Sequence, residues 1–314
     1  MKNSFWHKIN KPILALAPMA GYSDIVFRKI VKDYGADVLY SEMASATAIY
    51  YQRNNLSKTL KLLKKSRKDK YYVVQLFGSN PEHFKKAVSV VSKEIKPDGI
   101  DINCGCPVSK IIKQGAGSDL MKNPKRAREI IKASLSSTNL PISIKIRTEV
   151  KGVKAEDFLN YLKDLDIKAI MIHGRSLAQG FSGPIDFNLI RRVKDNTAKI
   201  ILANGGINNL KIAKETLKKT KADGLGLARG VLTRPWLFEE IKKNKEINLK
   251  REEIFSLILK HIKMAEAEFG KEGTIAMRKH LCLYVLGLKN ASYLRESLVK
   301  VSSSLDVKKI LCNS

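Results

Sequence analysis

The sharpest chemical signal in the chain is Asp101-Ile-Asn-Cys-Gly-Cys-Pro107, a strand-like run that ends in two closely spaced thiols. It opens a long glycine-containing loop, residues 108–119, long enough to act as a lid. A cysteine on such a loop can serve as nucleophile, metal ligand or general acid. The Cys-x-Cys spacing hints at metal, but no further Cys or His pair follows at ligand spacing, so no metal is expected. A hydrolytic nucleophile needs a histidine base and an oxyanion hole, and nothing around Cys106 supplies that combination.

Other chemistry-bearing residues recur at regular intervals: Pro18-Met19-Ala20-Gly21, Glu42, Gln75, Asn103, Lys145 with Arg147, His173-Gly-Arg175, Asn204-Gly205-Gly206 and Ala228-Arg229-Gly230. Singly, each is commonplace. Gln75 or Asn103 alone is more often a loop-start residue satisfying backbone groups, and a lone His173 is more often structural. Their recurrence at successive strand ends is explained by one shared pocket. The two Gly turns after residues 204 and 229 precede helical stretches, and exposed amides at such turns bind phosphate. A ligand with one phosphate and a body reaching toward Lys145 and Gln75 fits flavin mononucleotide (FMN). Lys145 would stabilise negative charge on the reduced ring and Gln75 would hydrogen-bond the ring edge.

The elements that must hold these residues are eight short strand-like runs: 13–17, 38–40, 72–76, 99–102, 142–146, 169–173, 200–203 and 224–227. Amphipathic stretches such as 24–34, 82–94, 125–135, 156–165 and 210–218 lie between them. Eight strands alternating with helices define an α/β fold, the TIM (β/α)8 barrel, whose chemistry sits at the C-terminal strand ends. The least regular unit is 41–70. Beyond Trp236 the pattern turns helical, with stretches at 252–269 and 274–288 and a shorter pair ending near Leu311. The expected division is a barrel over 1–241, a Lys-rich linker over 242–249 and a small all-helical domain over 250–314.

The 314 residues suit a barrel of roughly 250 residues with an appendage. The formal charge of +28 makes a polyanionic partner attractive, nucleic acid first. Lysine far outnumbers arginine, which a biased genome can produce, but the same bias would enrich glutamate, and acids are scarce. The segment 57–70 carries seven basic residues against one acid, and 278–280 adds a second basic group. Four cysteines are too few for a disulfide scaffold, and no apolar run approaches a membrane span. A cytoplasmic protein with reduced thiols is expected.

Taken together, Ala17-Pro-Met-Ala-Gly21 with Arg28, Gln75-Leu-Phe-Gly78, Asp101-Ile-Asn-Cys-Gly-Cys-Pro107, Lys145-Ile-Arg147, His173-Gly-Arg175, Asn204-Gly205 and Arg229-Gly-Val-Leu-Thr-Arg-Pro-Trp236 closely resemble the bacterial, FMN-dependent tRNA-dihydrouridine synthases. The resemblance spans nearly the whole chain and extends to Arg278-Lys279-His280. It implies that Pro18, Met19 and Ala20 line the flavin, that Gln75 and Lys145 contact its ring, and that His173, Asn204, Gly205, Gly206, Ala228 and Arg229 hold the ribityl chain and phosphate. Cys106 would be the general acid, Cys104 a packing residue, Asn103 and Arg147 the readers of the uracil, and Arg278, Lys279 and His280 contacts to tRNA. Three positions depart from the family pattern: Gly206 where Asp is common, Ala228 where Gly is common, and Phe181 where Tyr is common.

The implied reaction is reduction of the uridine C5–C6 double bond. NADPH reduces the flavin, flavin N5 passes hydride to C6, and Cys106 protonates C5 from the opposite face. A thiol with a near-ordinary pKa of about 8.5 is mostly protonated at neutral pH, which suits an acid. The uridine must leave its stack to enter the pocket. A monomer is expected, with tRNA as partner. Two rival readings are a flavin barrel acting on a small enone, which would not need the charge, and a tRNA-binding protein without catalysis, which would not need Cys106, Lys145 and Asn103.

Overall fold

The computed structural model describes residues 4–51 and 58–314. Its strands are β1 (Ile13–Leu16), β2 (Val38–Ser45), β3 (Tyr72–Phe77), β4 (Gly99–Asn103), β5 (Ile142–Arg147), β6 (Glu149–Val150), β7 (Val153–Lys154), β8 (Ile167–His173), β9 (Ile200–Asn204) and β10 (Gly224–Leu227). Eight of them close a barrel in the order β1–β10–β9–β8–β5–β4–β3–β2, all neighbours parallel, as the alternating pattern requires. Most barrel-strand residues are buried, because helices cover the outer face and side chains fill the inner one. Their sequences are therefore near-continuous apolar runs.

The helices that follow β1, β3, β8 and β9, and the longer one before β5, start at side-chain caps: Asp24, Asn80, Asp186, Asn209 and Asn123 each accept from amides in the first turn. Pro81 and Pro124 occupy first-turn positions, where no amide donor is needed. Inside the barrel, Ile13, Ala15, Val38, Tyr40, Val73, Ala169, Met171, Ile200 and Leu202 pack with Trp6, which closes the end where the strands begin. Gly226 makes room for this layer, since a Cβ there would meet Met171 Sδ at 2.7 Å. The opposite end, where the strands finish, stays open as a mouth.

Two departures from the sequence pattern occur near that mouth. Strand β2 runs on to Ser45 instead of stopping at Tyr40, with an irregularity between Tyr40 and Met43 that places Ser41 and Glu42 at the rim. A hairpin, β6–β7, stands just beyond β5, turning at Lys151-Gly152 with φ of 48° and 87°. Two successive positive-φ residues are the tight hairpin connection, and Val-Lys-Gly-Val was its local sign.

The helical region comprises Arg251–Tyr284, Ala291–Leu298 and Ser304–Cys312. The first breaks at Gly270 (φ 63°, ψ −146°), close to the expected gap between two helices. This region has no core of its own alone: its buried cluster includes Ile25, Val26 and Ile30 from the first barrel helix, together with Trp236. The expected linker is shorter than 242–249, because helix Leu237–Lys243 takes its first two residues. Buried Glu240 pins the rest of it, accepting from Arg234 at 2.6 Å and from the Ile247 amide at 2.8 Å.

Candidate active site at the barrel mouth

A chain of side-chain hydrogen bonds runs across the ends of β3, β4 and β5. Asp101, wholly buried, accepts from Ser143 Oγ at 2.6 Å and from Gln75 Nε2 at 2.7 Å. Gln75 Oε1 in turn accepts from Asn103 Nδ2 at 2.9 Å. Asn103 Oδ1 then accepts from the amides of Gly105 at 3.1 Å and Cys106 at 2.9 Å. Each amide orientation is fixed by its neighbour, starting from a carboxylate that can only accept when ionised. Burial raises the Asp101 pKa to about 6, against the pull of Ser143, Gln75 and Lys145. The chain ends on the turn that carries Cys106. The sequence pattern alone gave Asp101 no role; a charged residue inside an apolar strand was the available sign.

Cys106 packs with Ile111 and Ala116 against Met43 and Phe77. Burial raises its thiol pKa, opposed by a hydrogen bond from the Val108 amide and by the charges of Arg147 and Lys145. The thiol is thus held protonated more firmly than an exposed cysteine. Cys104, two residues earlier, is fully buried between strands and helices, and burial drives its pKa far up.

On the other side of the mouth lies a cluster of cations. Lys145, Arg147, Arg175 and Arg229 all bear on His173, and burial together with those charges lowers its pKa to about 2. His173 is therefore a neutral imidazole in a positive field. Lys145 donates to Asn204 Oδ1 at 3.3 Å, and Asn204 Nδ2 donates to Gly226 O at 2.7 Å. Burial and Arg147 lower the Lys145 pKa to about 8. A cluster of like charges around a neutral ring is costly unless an anion joins it.

The backbone beside this cluster is shaped for such an anion. Among the described residues, none accepts a hydrogen bond from the amides of Gly205, Gly206, Ala228 or Arg229. Gly205 has φ of 115°, and a Cβ there would meet the His173 ring at 2.7 Å. These unpaired donors, the glycine cradle and the surrounding cations together suit a phosphate. Pro18 and Met19, half-buried, and exposed Ala20 form the rim after β1. That rim is tied down by Glu42, which accepts from the Gly21 amide.

Arg147 and Phe181 are both engaged with other parts of the chain. Arg147 is buried, with Nε donating to Gly105 O at 2.8 Å and Nη1 to Ser176 O and Gly180 O at 2.9 Å. It clamps the Cys106 loop to the loop after β8 through Nε and Nη1. Phe181, on that second loop, is exposed, with the Arg229 guanidinium 4.4 Å from its ring centre and Arg147 at 5.7 Å.

The expected tRNA triad splits three ways. His280 is buried against Phe27, Tyr22 and His261, with ring centres 5.0–5.2 Å away, so it cannot reach a phosphate. Arg278 donates to Val301 O at 2.9 and 2.7 Å and so ties the long helix to a later turn. Only Lys279 reaches the mouth, lying 4.6 Å from the Tyr22 ring centre beside Gly21.

The basic segment 57–70 is described only in part. Ser57 and the Lys58 side chain lie outside the described residues. Lys64, Lys65 and Lys68 pair with Glu268, Asp98 and Asp33. Tyr71, just after the segment, stacks on Phe5 with ring centres 5.0 Å apart, at the closed end of the barrel. Its later half therefore lies away from the mouth. Among the described residues, no three His, Cys, Asp or Glu side chains gather as a metal site, and no helix is long and apolar enough to cross a membrane.

This is a parallel eight-stranded barrel whose mouth joins a protonated thiol to a cation-ringed cradle of amides without partners among the described residues. Its fold is shared with solved structures of low sequence identity: TcOYE with pHBA (TM-score 0.56, 8% identical, 82% of this chain and 94% of that one) and histamine dehydrogenase from Rhizobium sp. 4-9 (TM-score 0.58, 13% identical, 82% and 49%). A family model described as "Dihydrouridine synthase (Dus)" matches residues 15–313, and the chain belongs to that family. Similar proteins include a probable tRNA-dihydrouridine synthase of Helicobacter pylori strain J99, 35% identical over 91% of this chain and 87% of that protein. Another, from Aquifex aeolicus, is 30% identical over 94% and 93%, and tRNA-dihydrouridine synthase B of Pasteurella multocida is 32% identical over 90% and 86%.

Proposed function

We propose that this protein is a tRNA-dihydrouridine synthase that binds FMN, takes its reducing equivalents from NADPH and saturates the C5–C6 bond of uridine in tRNA. The observation that carries the reading is the pairing, at one barrel mouth, of a thiol kept protonated with a cation-ringed cradle of unpaired amides. The amides of Gly205, Gly206, Ala228 and Arg229 would hold the phosphate, with Arg175 and Arg229 supplying charge. His173 and Asn204 would line the ribityl path, with Pro18, Met19, Ala20, Gln75 and Lys145 around the ring. When bound, FMN supplies the hydride for uracil C6.

The chain's own residues do the rest. Cys106 Sγ–H gives its proton to C5, and burial suits it to that role by keeping it protonated at neutral pH. Asn103 orients the Cys106 turn, and its amide contact with Met43 Sδ at 3.5 Å is weak enough to exchange for a uracil carbonyl. Arg147 positions the two loops between which the base would enter. Lys145 offsets negative charge on the ring. Residues 1–241 would carry the chemistry, while 250–314 with Lys279 would face the RNA. Phe181 offers an aromatic face at the entrance.

The test is to purify the protein, identify any released flavin by mass spectrometry, and incubate the holoenzyme with NADPH and unmodified tRNA. Dihydrouridine in the digested nucleosides is expected. A flavin-loaded protein that reduces a small enone but leaves tRNA uridine intact overturns the tRNA reading.

A further inference from the structure

Beside the Cys106 loop, on the rim formed by the ends of β2 and β3, is an aromatic patch that the reaction does not use. Ser45 pairs with Phe77 at the last rungs of these strands, and Phe77 packs against Cys106 and its neighbours. The short helix Ala46–Tyr50 starts there, as does helix Pro81–Glu94 a few residues after Phe77. Between them, Tyr50 stacks on His83 with ring centres 4.2 Å apart, and Tyr51 meets both edge-on at 5.0 and 5.3 Å. Thr47 Oγ1 lies 3.0 Å from His83 Nδ1 and fixes that ring, while Lys86 Nζ is 5.2 Å from the Tyr50 ring centre. Tyr51 is 69% exposed.

The exposed ring of Tyr51 is not scattered singly but grouped with Tyr50 and His83 on the rim, and such grouping marks a contact surface. Here the supporting rings are locked by stacking and a hydrogen bond, so little side-chain freedom remains to be lost on binding. Exposed Lys86 stands against Tyr50, on a chain of charge +28. Aromatic faces interleaved with cations are what unpaired nucleobases and their phosphates require. We infer that Tyr51, backed by Tyr50 and His83, is a stacking platform for an unpaired base of the RNA flanking the uridine that enters the mouth, with Lys86 contacting its phosphate. This rests on the tRNA reading and adds a second, sequence-tolerant contact to it. Holding a neighbouring base outside the helical stack would keep the target strand open beside the site.

The experiment compares the FMN-loaded full-length protein with its Tyr51→Ala and Tyr51→Phe variants. Affinity is measured for unmodified tRNA and for inorganic polyphosphate, which has charge but no bases. Tyr51→Ala is expected to weaken tRNA binding roughly 5- to 150-fold, the effect of losing one stacked base. Tyr51→Phe should bind like the parent, and all three proteins should bind polyphosphate equally and oxidise NADPH equally without tRNA. Parental tRNA affinity in Tyr51→Ala overturns the platform, as does equal loss toward polyphosphate or an equal loss in Tyr51→Phe. A change in molecular mass by light scattering with tRNA affinity intact would overturn it too, by marking an interface between copies. Dihydrouridine formation by the parent separates the two readings: if it occurs and Tyr51→Ala is unaffected, only the platform fails. A parent that binds no tRNA removes both.

Discussion

Replacing Asn103 with alanine tests the hydrogen-bonded chain that aims Cys106. The side chain makes three bonds worth losing: Nδ2 to Gln75 Oε1 at 2.9 Å, and Oδ1 from the amides of Gly105 at 3.1 Å and Cys106 at 2.9 Å. A typical bond contributes about 1 kcal/mol net, and a buried group left unpaired costs about 1–3 kcal/mol. Water can reach half-buried Gly105 but hardly Cys106, so only part of that penalty applies. Asn103→Ala is therefore expected to destabilise the protein by about 2–4 kcal/mol in denaturant titration. The turn should loosen, so Cys106 should alkylate faster with iodoacetamide, scored by peptide mass spectrometry against Cys104. Turnover on tRNA should fall about a hundredfold, as misplacement of a reacting group does. FMN affinity should change little, because the proposed phosphate cradle follows β9 and β10. Asn103→Asp keeps the acceptor for both amides but loses the donor to Gln75, so its Cys106 alkylation should stay near parental. Parental alkylation and turnover in Asn103→Ala would refute the reasoning even if stability drops.

Cys106→Ala should retain FMN and its reduction by NADPH while dihydrouridine formation falls roughly 10²- to 10⁴-fold; an equal loss from Cys104→Ala alone would move the role to that thiol. Lys145 has a folded-state pKa of about 8, below its ordinary 10.5, so between those values the unfolded chain holds the extra proton and stability rises with pH. Lys145→Met should therefore stabilise the flavin-free protein by about 2 kcal/mol at pH 7 and flatten that rise, the lost Asn204 bond offsetting part of the gain. In the holoenzyme the same change should lower the flavin midpoint potential, and an unmoved potential would end the charge-stabilising role. Lys279→Ala should weaken tRNA binding and reduce the salt slope by about 0.7–0.9, whereas His280→Ala should act through stability, since the ring is buried. Loss of affinity in His280→Ala without loss of stability would contradict that separation.

What the sequence determined on its own is whatever short-range chemistry dictates. Eight apolar runs became eight barrel strands because residues buried on both faces must be apolar throughout. Asp24, Asn80, Asn123, Asp186 and Asn209 start helices through contacts the sequence itself dictates, because a cap acts within three residues. The family pattern was legible because its motifs fall at consecutive strand ends, where one chain order leads to one mouth.

The tertiary structure decided what depends on partners distant in sequence. His280 looks like a basic-cluster residue until helix Arg251–Tyr284 docks on Phe27 and buries it. That Arg147 also ties two loops together shows only when the carbonyls of Gly105, Ser176 and Gly180 converge on its Nε and Nη1. Charge has no periodicity that tells one end of a barrel from the other, so the place of the basic run before Tyr71 is not legible in sequence. Only the stacking of Tyr71 on Phe5 sets it at the closed end. Free amides at residues 205, 206, 228 and 229 likewise become visible only once every other backbone bond has found its partner.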